Sequence, residues 1–269
     1  MIHLKSATFK KQDEQIFPYT LSFFSGETIE FTNPVSILVG DNGSGKSSML
    51  ELMNEVLGLY RIQMDVPYQK ELKDVMSKAA KNVKLAYSLS KPRGFFFSAE
   101  DFTSYIHFLV KEKNEAYHEL ERVKTEYKNK SMLSKQLAAM PFSKTIHEID
   151  EMYEKDLLKS SHGEAYLSFF SSRLRKNELY FLDEPETPLS IQNQLALLAL
   201  IDQGVKDQNQ FIIATHSPLL MAIPNATLYE VSKDGINQIK YNEIDSVNLL
   251  KQFLNHPESF FRHLYDDES

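Results

Sequence analysis

The sequence contains no cysteine among its 269 residues, which excludes disulfide bonds and thiolate metal ligands. It also has no apolar run near the roughly 18 residues that a membrane-spanning helix needs. Residues 1–11 alternate in polarity as a strand does and do not resemble a signal peptide. These absences predict a cytoplasmic protein without a membrane span of its own.

The balance of charge is acidic. The 37 acidic residues outnumber the 30 lysines and arginines, and the net charge is −7. This balance argues against bulk electrostatic attraction to nucleic acid, although it leaves room for a local basic patch. The length allows one large α/β domain.

The most informative motif is a glycine-rich phosphate loop between an apolar strand, Val35–Val39, and a helical stretch that begins at Ser48. In such a loop, backbone N–H groups and the following helix cradle phosphate, the lysine reaches the β- and γ-phosphates, and the last serine completes a Mg²⁺ shell. The predicted cofactor-binding residues are Gly40, Asn42, Gly43, Ser44, Gly45, Lys46, Ser47 and Ser48, with Ser47 also a metal ligand.

A second motif places two acids after a run of apolar residues. Leu179–Leu182 is predicted to be a buried strand, and Asp183 and Glu184 follow it. Alone, such a strand end is commonplace. Together with the phosphate loop, it predicts that Asp183 holds Mg²⁺, directly or through water, and that Glu184 orients or deprotonates the attacking water.

A third motif is a histidine directly after another predicted buried strand, Phe211–Ala214. Ligands of parallel sheets bind at the carboxyl ends of the strands. We therefore predict that His216 donates a hydrogen bond to the γ-phosphate or to the attacking water. The predicted catalytic residues are Lys46, Glu184 and His216.

The chain order of elements predicts the fold class. Residues before the phosphate loop are β-rich, and strands alternate with helices after residue 160, which implies a mostly parallel sheet. Residues 65–160 are charged and mostly helical, with an apolar island at 94–98. We predict one α/β P-loop domain over 1–269, with an N-terminal antiparallel β subdomain and a helical subdomain inserted at 65–160.

A short motif lies between the insertion and the acidic strand. Ser161 is a good helix N-cap, and Glu164, three residues later, is its capping-box partner. By itself this pattern indicates only the start of a helix. Its position in the chain, however, is that of the signature sequence of ABC ATPases.

Taken in order, these motifs resemble ABC-type ATPases, and the resemblance spans nearly the whole chain. Residues 161–164, 182–190 and 211–218 look more narrowly like the stand-alone bacterial ATPases of this class. The resemblance implies a head-to-tail homodimer that binds two ATP molecules with Mg²⁺ between its protomers. Ser161 and Gly163 would contact the γ-phosphate in trans. The sequence departs from the usual Leu-Ser-Gly-Gly-Gln signature, since His162 replaces a glycine.

The resemblance also implies a Q-loop residue near the metal and an aromatic ring against adenine. For the first, Glu100 is preferred over Gln69, because it follows the strand-like run at 94–98. For the second, Phe9, Phe17 and Tyr19 are all candidates.

The leading functional hypothesis is an ATP-hydrolysing switch that dimerises on ATP. It would act on a partner protein, such as a nuclease or toxin, in bacterial defence or DNA transactions. A transporter ATPase subunit is an alternative, although no coupling segment is recognisable. An ATP-dependent DNA clamp is a second alternative, which the acidic charge disfavours. A small-molecule kinase is a third, but the acidic strand and His216 favour water as the acceptor.

Overall fold

The computed structural model describes residues 1–11, 17–21, 26–62, 74–152 and 162–265. Its strands are β1 (Leu4–Phe9), β2 (Thr28–Glu30), β3 (Val35–Val39), β4 (Tyr60–Arg61), β5 (Val83–Tyr87), β6 (Gly94–Ser98), β7 (Leu179–Asp183), β8 (Gln210–Ala214), β9 (Thr227–Ser232) and β10 (Gly235–Ile239). Its helices are α1 (Lys46–Leu57), α2 (Ala99–Glu126), α3 (Met132–Met152), α4 (His162–Arg173), α5 (Ile191–Lys206), α6 (Pro218–Met221), α7 (Asp245–Asn255) and α8 (Pro257–Tyr265).

The central sheet has seven strands in the order β10-β9-β3-β8-β7-β6-β4. Every neighbouring pair is parallel except β9 and β10, which form an antiparallel pair. The inner strands β3 and β8 are buried along their whole length, as strands of a parallel sheet covered on both faces must be. The predicted α/β class with a mostly parallel sheet is confirmed.

Two hydrophobic cores lie on the two faces of this sheet. Residues of β6 divide between them by the alternation of a strand: Phe96 packs in the core that contains α1, while Phe95 and Phe97 pack in the core that contains α2, α4 and α5. The sheet thus holds α1 on one face and α4 and α5 on the other. This arrangement positions the loops that follow β3, β7 and β8 at one edge.

A smaller antiparallel sheet, β2-β1-β5, packs against the α1 side of the central sheet. It is the predicted N-terminal β subdomain. Its third strand, β5, and the central strand β6 both lie inside the range 65–160 that was predicted as helical. That range therefore contains strands as well as helices, and the long helices that the structure describes within it are α2 and α3. The subdomain division itself stays a prediction.

The helix after the phosphate loop begins two residues earlier than predicted, at Lys46, and it ends at Leu57, before Gly58 with its φ of 63°. Gly58 ends the helix readily, because glycine adopts this left-handed conformation without strain. Within the described ranges, no helix combines the length and apolar character that crossing a membrane requires.

Candidate active site

The phosphate loop connects β3 to α1 by a turn that only glycine fits. A Cβ atom on Gly40 would lie 2.3 Å from the carbonyl oxygen of Val231 on the neighbouring strand β9. Gly45, which precedes α1, has a φ of 94°. These constraints hold the loop at the amino end of a twelve-residue helix, where anions bind favourably.

Lys46 lies inside this loop and is only 4% exposed. Its Nζ donates hydrogen bonds to the carbonyl oxygens of Gly40, at 2.8 Å, and Asp41, at 2.9 Å. Burial lowers the pKa of Lys46, and the nearby carboxylates of Glu184 and Asp183 oppose that shift. In the described part of the chain, the buried Ser44 hydroxyl has no hydrogen-bond partner. A buried cation and an unpartnered hydroxyl in one loop fit a phosphate group.

The predicted metal ligands Ser47 and Asp183 are in direct contact, since the Ser47 Oγ donates a hydrogen bond of 2.8 Å to Asp183 Oδ1. Burial raises the pKa of Asp183 to about 7; the Ser47 hydrogen bond opposes this rise, and the neighbouring Glu184 charge adds to it. A hydroxyl and a carboxylate are the oxygen ligands that Mg²⁺ prefers. The pair therefore fits the predicted Mg²⁺ site.

The high pKa of Asp183 predicts a pH-dependent stability in metal-free protein. Because the folded pKa lies above the ordinary 3.8, this group's stabilising contribution is complete below about pH 3.8 and is lost as the pH rises through about 7. Relative to Asp183→Asn, whose amide does not titrate, wild type should lose up to about 4 kcal/mol of unfolding free energy between pH 4 and 8.

Urea unfolding in EDTA across this pH range measures the effect, with the exposed acid Asp202→Asn as the matched control. A stability difference between wild type and Asp183→Asn that stays constant with pH would contradict the assignment.

Glu184 has a φ of 46°, an uncommon conformation for a non-glycine residue, and its N–H donates to the Ala214 carbonyl oxygen at 2.9 Å. That bond ties the acidic strand end to β8, after which His216 follows. His216 Nε2 lies 3.9 Å from Glu184 Oε1, and both side chains are partly exposed, at 37% and 47%. The structure thus brings the predicted catalytic residues to one sheet edge.

Glu100 lines the same cleft as Ser47, Asp183 and Glu184. It is the second residue of α2, and the preceding Ser98 pairs in register with Asp183 on the adjacent strand. The cleft has a volume of about 540 Å³. Glu100 therefore lines the same cleft as the predicted metal ligands, whereas the competing candidate, Gln69, lies outside the described residues.

The three aromatic candidates for contact with adenine differ in exposure. Phe9 is completely buried and Tyr19 is 7% exposed, so both belong to the core. Phe17 is 40% exposed and lines the cleft beside the phosphate loop. The structure leaves Phe17 as the aromatic ring open to a ligand.

The signature-like residues are only partly described, since Ser161 lies outside the described residues. Gly163 is buried, and a Cβ atom there would lie 2.4 Å from Asn193 Nδ2 and 3.2 Å from the Pro188 carbonyl oxygen. Close packing of α4 on the segment 188–193 thus requires a glycine at this position. The predicted contact of Gly163 with ATP in trans stays a prediction.

The sequence analysis missed Arg61, which lines the cleft from β4. Its guanidinium bonds both oxygens of Asp101, reaches Glu51 at 3.3 Å, and lies 4.6 Å from the centre of the Phe96 ring. A two-residue strand has no readable periodicity, so no sequence signal pointed to Arg61. Arg61 is therefore a mostly buried cation, held by two carboxylates, in the same cleft as Ser47 and Asp183.

The sequence analysis also gave no role to Glu186, beyond its place in the segment after the acidic strand. Its Oε1 accepts hydrogen bonds from the backbone N–H groups of His216, at 2.6 Å, and Ser217, at 3.1 Å. Glu186 therefore holds the loop that carries the predicted catalytic histidine.

The phosphate loop, the adjoining acidic strand end and the histidine after the next strand lie together at one edge of the parallel sheet, as in a P-loop domain. A family model described as an AAA domain matches residues 20–255. The chain belongs to this AAA domain family. No curated protein matches the chain in sequence.

Several solved structures are similar to this chain. A putative metal-chelate type ABC transporter in an inward-facing conformation is 18% identical, with 94% of this chain and 89% of that chain covered and a TM-score of 0.46. The SMC head domain from Thermotoga maritima is 14% identical, with coverages of 89% and 100% and a TM-score of 0.40. The dimeric ATP-binding cassette MJ0796, bound to ADP and Pi, is 12% identical, with coverages of 91% and 100% and a TM-score of 0.41.

Proposed function

We propose that this protein binds Mg-ATP and hydrolyses it to ADP and phosphate. The observation that carries the proposal is the meeting of Lys46, the Ser47–Asp183 pair and the Glu184–His216 pair at one edge of the parallel sheet. A site of this composition supplies a phosphate cradle, oxygen ligands for a divalent cation, and a carboxylate that can accept a proton from water.

Each residue has a role that follows from its surroundings. Lys46 is a buried cation that would bind the β- and γ-phosphates in place of the loop carbonyls. Ser47 and Asp183 would hold Mg²⁺, which neutralises phosphate charge, and Glu100 would reach the same metal from across the cleft. Glu184 is half exposed at the cleft and would take the proton of the attacking water.

His216 would hold the γ-phosphate or the attacking water. Its Nε2 is buried and, within the described ranges, has no hydrogen-bond partner, so its hydrogen-bonding capacity is unused. Phe17, which lines the same cleft, would stack on adenine.

The test of this function is the release of inorganic phosphate by the wild-type protein from ATP, with Mg²⁺ and with EDTA. We expect release that requires Mg²⁺. Formation of ADP without free phosphate, in the presence of small-molecule acceptors, would instead support a kinase. ATP binding with no ADP formed at all would contradict hydrolysis.

We further propose that ATP joins two copies head to tail, so that Ser161 and Gly163 of one protomer contact the ATP of the other. The order of the motifs, which resembles that of ABC-type ATPases, supports this assembly. Because Gly163 is buried against Pro188 and Asn193, the start of α4 would have to shift on that segment to reach the partner's nucleotide. One domain over 1–269, with the helical subdomain inserted at 65–160, would form each half.

The finer hypothesis is that the cytoplasmic dimer acts on a partner protein, such as a nuclease or toxin, in bacterial defence or DNA transactions. It is supported by the lack, among the residues that the structure describes, of a second cluster of catalytic side chains that could act on another substrate. A pull-down from native cells with the Glu184→Gln variant and ATP tests it, and recovery of no partner would count against it.

A further inference from the structure

The loop that carries His216, residues 215–217, is held from two sides. Glu186 Oε1 accepts the N–H groups of His216 and Ser217, and the Ser217 Oγ donates a hydrogen bond of 2.7 Å to Gln194 Oε1 on α5. Two consecutive amides bonded to one carboxylate oxygen fix the backbone at His216. The position of the Glu186 carboxylate therefore sets the direction in which the histidine side chain leaves the loop.

The second carboxylate oxygen of Glu186 takes no part in these hydrogen bonds. Glu186 Oε2 is buried, and in the part of the chain that the structure describes it has no hydrogen-bond partner. The hydroxyl of Tyr166, on α4, is buried and unpartnered in the same way. One atom is an acceptor and the other carries a donor hydrogen, so the two groups are complementary.

The Tyr166 hydroxyl and the Glu186 carboxylate lie close enough to interact electrostatically. Burial raises the pKa of Tyr166 well above its ordinary value, and the charges of Glu186 and then Asp183 raise it further. The hydroxyl therefore keeps its proton and lies within electrostatic range of the Glu186 carboxylate. Buried polar atoms without partners are costly and rare in native proteins, and a complementary pair of them suggests a bond made in another state.

Packing connects this pair to the signature-like end of α4. Gly163, one turn before Tyr166, lies against the Pro188 carbonyl oxygen and Asn193, just after Glu186 in the chain. The segment 186–193 therefore packs against α4 at Gly163, and its Glu186 lies within electrostatic range of Tyr166 one turn further along. Any shift of α4 on this segment changes the separation of Tyr166 and Glu186.

We propose that Tyr166 and Glu186 form a latch that couples the position of α4 to the catalytic histidine. When α4 shifts towards ATP in the dimer, the Tyr166 hydroxyl donates a hydrogen bond to Glu186 Oε2, and this bond immobilises the carboxylate that orients the His216 loop. Both are positioning residues, because they act through His216 and not on ATP. The inference rests on the ATP hydrolysis proposed above.

Two conservative variants separate the latch from general stability. Tyr166→Phe keeps the ring and removes the hydroxyl. Glu186→Gln keeps an oxygen for the two amides and replaces the free acceptor with an NH₂ group. We expect each variant to lower kcat about tenfold, the effect of one lost hydrogen bond to a charged group, with KM for ATP unchanged.

The double variant tests whether the two residues act as one unit. If they form a single bond, the double variant should lose no more than either single variant, because the second change has nothing left to remove. The matched control is Tyr180→Phe. Tyr180 is a fully buried tyrosine whose oxygen accepts the Arg175 N–H at 2.7 Å, so its loss should lower thermal stability and leave kcat unchanged.

The outcomes are distinct. Wild-type kcat in Tyr166→Phe, or losses that multiply in the double variant, would overturn the latch and leave the proposed function standing. A decrease in kcat in Tyr180→Phe as large as that in Tyr166→Phe would show that the effect comes from reduced stability, and it would also overturn the latch. If wild type itself releases no phosphate with Mg²⁺, the proposed function fails, and the latch fails with it. If Tyr166→Phe does not fold, the kcat of Glu186→Gln is the test, and a wild-type kcat in that variant would overturn the latch.

Discussion

Glu184→Gln should reduce the kcat for ATP hydrolysis at least about a hundredfold while the protein still binds Mg-ATP. Removing a general base costs about two to four orders of magnitude in rate. Glutamine has the same shape as glutamate, and the backbone bond from residue 184 to the Ala214 carbonyl does not depend on the side chain. The geometry of the site should therefore survive, while the carboxylate that accepts the proton is lost.

Phosphate release and calorimetric titration with Mg-ATP measure the two halves of this prediction. Glu55→Gln is the matched control, since Glu55 is an exposed residue of α1 and the substitution removes the same charge. It should leave kcat and affinity unchanged. If Glu184→Gln keeps a kcat within about threefold of wild type, Glu184 is not the base.

Lys46→Ala should weaken ATP binding at least about a hundredfold. Hydrogen bonds from a charged donor contribute about 1.5 to 3 kcal/mol each, and Lys46 would exchange two bonds to loop carbonyls for bonds to phosphate oxygens. No other lysine lies in the phosphate loop to replace it. We expect the substitution to raise the Kd for ATP, whatever its effect on kcat.

Because Lys46 is buried and paired, its removal also leaves the carbonyls of Gly40 and Asp41 without this donor, so the melting temperature must be measured beside the affinity. Lys206→Ala is the control, since it removes an exposed lysine paired with Asp202. Affinity in Lys46→Ala equal to that of the control, in a folded protein, would show that the phosphate loop does not hold ATP.

The parts of the site that could be predicted from the sequence are those encoded locally. Strand, glycine turn and helix adjoin one another around Lys46, and the acids and His216 each follow directly after a buried strand. Since the carboxyl ends of parallel strands share one edge, these separate motifs had to meet once the sheet was parallel. The register confirms it, because Asp183 pairs with Ala214 across β7 and β8.

The remaining parts depend on contacts between distant residues that leave no periodic signal. Glu186 bonds amides 30 and 31 positions away, and Arg61 pairs with Asp101 across 40 positions. Residues 94–98, three phenylalanines between a glycine and a serine, form a strand-like run inside the mostly helical range 65–160. Because so short a run also fits a buried helix, no sequence signal indicated that it joins the central sheet. Exposure alone, which no motif reports, separates Phe17 from Phe9 and Tyr19.

Light scattering on Glu184→Gln, with and without Mg-ATP and beside Lys46→Ala, tests the ATP-driven dimer most directly. The account predicts a doubling of mass in Glu184→Gln when ATP is added, and no change in Lys46→Ala. The first variant binds ATP without consuming it, and the second does not bind it. A mass that stays monomeric in Glu184→Gln, at ATP concentrations shown by titration to fill the site, would contradict the head-to-tail assembly.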